Sequence, residues 1–296
     1  MSNYHTPVLL KEVTDLLKVK EGDKVIDATL GGGGHTKVFL ESGAFVLGID
    51  LDDEALEYVK KNQGFDKNLT LVKGNFRDLE TIAHLNNFDK VSAILFDLGV
   101  SSHQIDTPNR GFSFLKEGPL DMRMDKSSNL SAETLVNLLE KGELNDIFNK
   151  FGQEHRSWII SNSIVRARRV KAIKTTGELS RVIQEAYGIR KDEITDFTKN
   201  LINKKVFQAL RIAVNDEIGN ITQALPKAYE LLESGGRIAV ISFHSLEDRV
   251  VKNTFKDFEK KNMGKIITEK PLEAREGELV ENSRAKSAKL RVFEKN

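Results

Sequence analysis

Short apolar runs and longer amphipathic stretches alternate along the first hundred residues. The runs predict buried strands, and they cover 24–26, 44–50, 69–72 and 91–96, with a fifth at 237–243. Between the first and second runs, Val38 and Phe39 lie on the apolar side of an amphipathic stretch. Between the second and third runs, Ala55 and Val59 recur at helical spacing. Strands that alternate with helices form a parallel sheet covered on both faces. The pattern therefore predicts an α/β fold with a doubly wound, mostly parallel sheet, which runs 265–268 and 290–293 would close as an antiparallel pair.

This rhythm stops between residues 106 and 205, where no run predicts a strand. A loop over 107–125 comes first, and structureless loops of that length are usually functional. Helix starts follow at Ser131 and at Thr175, where Glu178 completes a capping box. We predict a core built from 1–106 and 206–296, interrupted by an all-helical insertion over 107–205 that recognises the substrate through a basic surface.

Three local predictions complete the pattern. Thr6 would cap a helix over 6–17. A helix through Phe207 and Ile221 would bend at Pro226 and end at Gly235 and Gly236. The polar stretch 275–288 predicts a mobile loop.

A glycine corner follows the first strand. Asp27 precedes four glycines, Gly31 to Gly34, and an amphipathic helix. Glycine permits tight turns and the close approach of a ligand, and a helix N-terminus offers backbone N–H groups. The pattern departs from the dinucleotide fingerprint G-x-G-x-x-G because Thr36 occupies the position of its third glycine. A plain flexible turn is the alternative interpretation.

Side chains with ligand chemistry follow four predicted strands. Asp27, Asp50, Phe76 and Asp97 come at or just after strand ends. Ligands of doubly wound sheets bind at the carboxyl ends of the strands, and an acid after the second strand can bind a ribose. Asp50 has this position, although it can instead cap the next helix. Phe76 offers a flat ring to a purine.

Composition narrows the class of protein. The chain has 296 residues, 39% hydrophobic and 30% charged, which is typical of globular proteins. It contains no cysteine, which excludes disulfides and thiolate metal sites. Histidine spacing predicts no metal site. Because the sequence has neither a signal peptide nor an apolar run of membrane-spanning length, we expect a cytoplasmic protein without a membrane partner.

The net charge of +1 hides a basic segment over 151–211, where lysine and arginine outnumber acids. A basic segment in an otherwise acidic chain indicates a polyanionic partner. Solvated helix faces are the alternative.

These features favour a class I S-adenosylmethionine-dependent methyltransferase, with a Rossmann-like sheet and the helical insertion. An ordered set of motifs then resembles one family, the bacterial small-subunit (16S) ribosomal RNA cytosine-N4 methyltransferases. The resemblance extends from residue 5 to about residue 293. Its motifs are 5–10, 33–36, 97–102, 111–114, 118–125, 207–215, 241–249 and 284–289.

The resemblance implies methylation of the exocyclic N4 of one cytidine in the decoding region of 16S ribosomal RNA, with S-adenosylmethionine as methyl donor. The implied donor contacts are Gly33, Gly34, His35, Asp50, Phe76, Asp97 and Gln104. The glycines and His35 would offer backbone donors to the methionine carboxylate, and Gln104 would bond the ligand or the base.

Cytosine N4 is a poor nucleophile, so the site must hold it near the methyl group and accept a proton. Candidate acceptors are Asp97 first, then Ser101 and Ser102. Asp121, Arg123 and Asp125 are candidates for gripping the cytidine and its phosphate, and His244 for a second proton acceptor.

Alternatives remain open at this point. The chain could methylate another RNA, a protein or a small molecule, or act as a non-catalytic RNA-binding module; a nicotinamide oxidoreductase is disfavoured by the broken fingerprint. Leu201 to Val206 departs from the family pattern, so no RNA contact is expected from resemblance there. The flat basic insertion favours the small ribosomal subunit over a loose RNA strand as substrate. Oligomeric state is not indicated.

Overall fold

A computed structural model describes residues 7–62, 67–190 and 195–296. The proposed cap at Thr6 lies outside them. The chain divides into two compact units, 1–101 with 218–296 and 102–217. The predicted boundary at 206 differs because a continuous helix, Asp196–Asn215, runs through it.

The first unit contains a seven-stranded sheet with the order β3-β2-β1-β4-β5-β7-β6. Strands β1 to β5 are parallel to one another, and β7 is antiparallel to both β5 and β6. The strands are β1 Lys24–Asp27, β2 Phe45–Asp50, β3 Leu69–Lys73, β4 Val91–Asp97, β5 Leu232–Ser242, β6 Gly264–Ile266 and β7 Lys289–Lys295. The predicted mostly parallel sheet and its closing antiparallel pair are confirmed.

Helices cover both faces of this sheet. They are α1 Leu10–Leu17, α2 Gly34–Glu41, α3 Asp53–Asn62 and α4 Leu79–Leu85, then α11 Glu217–Leu231, α12 Ser245–Lys260 and α13 Glu276–Glu281. Successive strand residues enter opposite cores: Ile94 and Phe96 face one core cluster, whereas Ala93 and Leu95 face the other. This two-sided burial explains why the strands are continuous apolar runs.

In its described residues the second unit contains helices, loops and one isolated bridge between Pro119 and Thr175. It comprises α5 Ser102–Asp106, α6 Ala132–Leu138, α7 Lys141–Lys150, α8 Ser157–Val170, α9 Thr176–Tyr187 and α10 Asp196–Asn215. Ser131 caps α6, and Thr175 with Glu178 forms the capping box of α9, as predicted. None of the helices in the described part of the chain is long and apolar enough to cross a membrane.

Three local predictions were wrong. Helix α1 begins at Leu10 rather than residue 6. The single helix through Phe207 and Ile221 is instead α10 and α11, because Asp216 adopts a left-handed conformation at φ 47°. Residues 275–288 form α13 and a 3-10 turn, and Ala285 and Ala288 of this stretch are buried.

The glycine pair 235–236 was also misplaced. Helix α11 ends at Leu231, and both glycines lie within β5. The register of β5 against β4 shifts between Val91 and Ala93, which pair with Leu232 and Arg237. Gly235 has φ 78°, which glycine adopts without steric cost, so the pair forms a strand irregularity rather than a helix end.

Candidate methyl-donor site

The glycine loop connects β1 to α2 and is tied to the end of β2. Gly31 and Gly33 have positive φ, 49° and 72°. The N–H of Gly31 donates to Asp50 Oδ2 at 2.8 Å, and that of Gly33 donates to Leu30 O at 2.8 Å. The Gly33 N–H therefore closes a turn, which leaves the first N–H groups of α2, at Gly34 and His35, as the backbone donors of this corner.

Asp50 ends β2 and organises two backbone segments. Its Oδ2 accepts from Gly31, and its Oδ1 accepts from the N–H of Asp52 at 2.9 Å. Burial raises the pKa of Asp50 to about 6, against the lowering effect of these two hydrogen bonds. Asp50 thus combines a structural role in the corner with lone pairs that can accept from hydroxyl groups.

Asp27 ends β1 and is almost completely buried. Its Oδ2 accepts from Thr36 Oγ1 at 2.7 Å, and its Oδ1 accepts from the N–H of Thr29 at 3.3 Å. Burial raises the pKa of Asp27, and nearby His35 acts in the opposite direction. Thr36, the residue that breaks the dinucleotide fingerprint, is therefore a partner of Asp27.

Asp97 ends β4 beside β1. Its backbone N–H donates to Thr29 Oγ1 at 2.6 Å, and its Oδ2 lies 3.8 Å from His35 Nδ1. The other ring nitrogen of His35, Nε2, lies 3.1 Å from Val8 O. The ends of β1 and β4 and the first turn of α2 therefore form one polar cluster around Asp27, His35 and Asp97.

Phe76 follows β3 in a 3-10 turn and is partly buried against the core. Its ring meets Phe96 edge-on, at 5.6 Å between centroids and 84° between planes. This contact fixes an aromatic ring close to the sheet's carboxyl edge.

The remaining predicted residues are divided between the two units. Ser101 ends the segment 1–101 of the first unit, whereas Ser102 and buried Gln104 belong to α5 in the second. Their roles stay predictions. His244 caps α12, where Nδ1 accepts from the N–H of Glu247 at 3.3 Å and Nε2 lies 3.2 Å from Glu247 Oε1. This arrangement supports a structural role for His244.

Asp121 and Arg123 bind each other within the second unit. Arg123 Nε and Nη2 donate to the two carboxylate oxygens at 2.7 and 2.8 Å, and Nη1 donates to Ser128 O at 2.6 Å. Burial acts against ionisation, but the hydrogen bonds from Arg123 hold the pKa of Asp121 below its usual value. Asp125 accepts from the N–H and hydroxyl of Ser127. These contacts order the loop, and substrate contacts of the three residues stay predictions.

Sequence reasoning missed Thr29 and the function of Thr36. Thr29 bonds the strand ends of both Asp27 and Asp97, and Thr36 holds Asp27. The sequence did contain a signal for both. Thr29 comes two residues after Asp27, the acid at the end of β1, and Thr36 lies on the first turn of the helix that follows.

The strand order, the antiparallel β7, the glycine loop and the acids at the strand ends define a class I methyltransferase of the Rossmann-like kind. A sequence model described as the MraW methylase family matches residues 2–296. The chain belongs to this family.

Curated relatives agree over the full length. A protein of Halothermothrix orenii named ribosomal RNA small subunit methyltransferase H is 44% identical over an alignment that covers 98% of each chain. Proteins of the same name from Persephonella marina and Coprothermobacter proteolyticus are 44% and 41% identical. These alignments cover 97% and 100% of this chain and 98% of each relative.

Proposed function

We propose that this chain transfers a methyl group from S-adenosylmethionine to the exocyclic N4 of one cytidine in the decoding region of 16S ribosomal RNA. The geometry that supports this most directly is the hydrogen bond between Asp50 and Gly31, which joins the glycine loop to the acid that can bind a ribose. The names of the relatives support small-subunit ribosomal RNA as substrate. The motif resemblance supports cytosine N4 as the acceptor.

The residues at the carboxyl ends of the strands fit S-adenosylmethionine. Asp50 can accept from the ribose hydroxyls, and the edge-packed Phe76 can cover the adenine. The N-terminus of α2, at Gly34 and His35, suits the methionine carboxylate because helix N-termini favour anions. The carboxylates of Asp27 and Asp97 suit the positive charges of the donor.

The chemistry is an in-line transfer to a weak nucleophile. When bound, S-adenosylmethionine supplies an electrophilic methyl group on a sulfonium. The protein must hold N4 at roughly 3 Å from that methyl group and accept the proton that N4 loses. Asp97 is our first choice as acceptor because its side chain is mostly buried yet follows the sheet's carboxyl edge. Ser101 and Ser102 are the alternatives.

The outer face of α8 supports RNA recognition by the second unit. This helix carries no acid, and its exposed residues Trp158, Asn162, Arg166 and Arg169 recur at helical spacing on one face. Trp158 is 55% exposed, with Lys141 Nζ 4.0 Å from its ring centroid. Arginines neutralise phosphates and exposed aromatic rings stack on unpaired bases, so this face fits a ribosomal RNA surface.

The substrate we propose is the small ribosomal subunit rather than free RNA, which also makes the cytoplasm the place of action. Folded RNA is recognised largely by shape and by its phosphates, and a broad basic face suits that kind of surface.

A transfer assay tests these points together. Small subunits from a strain that lacks the endogenous enzyme, and naked 16S ribosomal RNA beside them, are incubated with the protein and S-adenosylmethionine labelled in its methyl group. We expect label in N4-methylcytidine, with subunits the better acceptor. A D50A variant loses both hydrogen bonds to the backbone. It is the control in which binding of S-adenosylmethionine is impaired.

Other outcomes separate the parts of the proposal. Label in a different nucleoside would exclude N4 chemistry and keep the methyltransferase. Equal or better transfer to naked RNA would exclude the assembled subunit as the preferred substrate. Binding of S-adenosylmethionine without transfer to either acceptor would overturn the proposed substrate.

A further inference from the structure

The segment Pro7–Leu9 lies directly on the first turn of α2. A Cβ added to Gly34 would lie 2.9 Å from the Pro7 ring, so this ring packs closely against the Gly34 backbone. Val8 O lies 3.1 Å from Nε2 of His35, and the side chains of Val8 and Leu9 are buried. This segment therefore determines how the His35 ring is oriented.

Leu9 holds a backbone conformation that leucine rarely adopts. Its φ is 54°, in the left-handed region, where the Cβ of an L-residue approaches the carbonyl oxygen. Such conformations persist only where surrounding contacts fix them. Two hydrogen bonds do so here: Leu9 N–H donates to Glu278 Oε1 at 2.7 Å, and Leu9 O accepts from Val13 N–H at 2.9 Å.

Glu278 reaches Leu9 from the far end of the chain, 269 residues away, on α13. The stretch around it was predicted from sequence to be a loop. A carboxylate that accepts a backbone N–H forms a charge-assisted hydrogen bond, which is stronger than a neutral one. Glu278 is thus the side chain that holds the turn preceding α1.

The Val8 carbonyl also determines the tautomer of His35. A carbonyl oxygen only accepts, so Nε2 must carry the hydrogen. In the neutral ring, Nδ1 is then an acceptor, and it faces the Asp97 carboxylate at 3.8 Å. The contact with Val8 therefore sets the orientation of the His35 ring and turns its Nδ1 towards Asp97.

We propose that Glu278 is a positioning residue of the methyl-donor site, which acts through Leu9 and Val8 on the His35–Asp97 pair. Its carboxylate contacts the Leu9 backbone, so its role differs from that of the residues in the site. The inference rests on the proposed function only in naming S-adenosylmethionine as the ligand whose binding is affected.

The test compares Glu278→Ala with Glu278→Gln, which keeps an oxygen acceptor for the Leu9 N–H. Glu281→Ala is the matched control, because Glu281 is an exposed acid on the same helix. Binding of S-adenosylmethionine is measured by calorimetry. The His35 tautomer is measured by 15N NMR on the ligand-free protein. The second readout needs no ligand, and a merely structural role of Glu278 would not move it.

We expect E278A to weaken S-adenosylmethionine binding about tenfold, the scale of one lost charged hydrogen bond. The His35 spectrum of E278A should lose its single Nε2-protonated form. E278Q should bind within about threefold of the parent because its amide oxygen retains the contact, and E281A should match the parent in both measurements. If E278A does not fold, E278D replaces it, since its shorter side chain keeps the charge but loses reach.

An unchanged His35 tautomer in folded E278A, or in E278D in its place, would overturn the inference, as would unchanged binding. A parent protein that shows the fixed tautomer but never binds S-adenosylmethionine would instead overturn the proposed function. The two failures are therefore distinguishable.

Discussion

The carboxylate of Asp50 accepts a hydrogen bond from the backbone N–H of Gly31 at 2.8 Å. This bond joins the carboxyl end of β2 to the loop that follows β1, so the acid expected to bind the ribose also shapes the glycine corner. A change at Asp50 will therefore affect both protein stability and ligand binding.

Asp50 should make the protein less stable as the pH rises. Its pKa is about 6 in the folded protein against an ordinary 3.8. Because the folded state holds this proton more tightly, the resulting stabilisation is complete below pH about 4 and is lost as the pH rises through about 6. In urea unfolding, the free energy of unfolding of D50N should rise relative to that of the parent by about 1–3 kcal/mol as the pH is raised from about 4 to above about 6. A difference independent of pH would contradict the expectation.

Thr36 should stabilise the protein through its hydroxyl. Its Oγ1 donates to buried Asp27 at 2.7 Å, and valine has the same shape without a donor. We expect T36V to lower the free energy of unfolding by about 1–3 kcal/mol, because the buried carboxylate loses a partner. Denaturant unfolding measures this, with T36S as the control that keeps the hydroxyl. A T36V protein at least as stable as T36S would show that the bond contributes nothing.

Gly34 should tolerate no side chain. An added Cβ would lie 2.9–3.0 Å from three atoms of the Pro7 ring, so G34A should lose about 1–3 kcal/mol of stability by overpacking. The G34A variant should also bind S-adenosylmethionine more weakly than the parent.

Gly142 provides the matched control for this substitution. It lies in α7, where an added Cβ would meet no atom within 4 Å. G142A should gain up to about 1 kcal/mol, because alanine favours a helix more than glycine does. Thermal unfolding of both variants decides the matter, and equal shifts would show that the contact with Pro7 exerts no constraint.

Charge reversal on α8 should impair RNA methylation without affecting the donor. The double variant R166E/R169E should lower transfer to small subunits at least about tenfold and reduce the salt dependence of RNA binding. Binding of S-adenosylmethionine should be unchanged. The control K256E/K260E makes the same change in net charge on exposed α12 lysines of the first unit. Equal losses in both variants would indicate a general charge effect rather than an RNA contact on α8.

The sequence correctly predicted parts of the structure that depend on residues close together in the chain. Apolar runs located β1 to β4 because two-sided burial leaves a continuous hydrophobic signal. The capping box of α9 was predictable for a similar reason, since its two partners, Thr175 and Glu178, lie within one helical turn. Asp50 was identified because an acid after the second strand has a fixed place in such sheets.

The predictions failed where a local signal had two structural solutions. A Gly-Gly pair after a helical stretch suits a helix end and a strand irregularity equally, and packing of β5 against β4 selected the second. The break at Asp216 gave no sequence signal, because a non-glycine residue with positive φ is specified by its surroundings. The polar stretch around Glu278 was predicted to be a mobile loop, since nothing nearby in sequence is the partner of Glu278.

The sequence by itself determined the strand–helix alternation, the glycine corner and the acids at the strand ends, because periodicity and glycine content act over a few residues. Only the tertiary structure decided that Thr36 binds Asp27, that Val8 orients His35, and that Glu278 holds Leu9 from 269 residues away. Such contacts depend on how distant segments pack, and a hydrogen bond between them leaves no periodic trace in the chain.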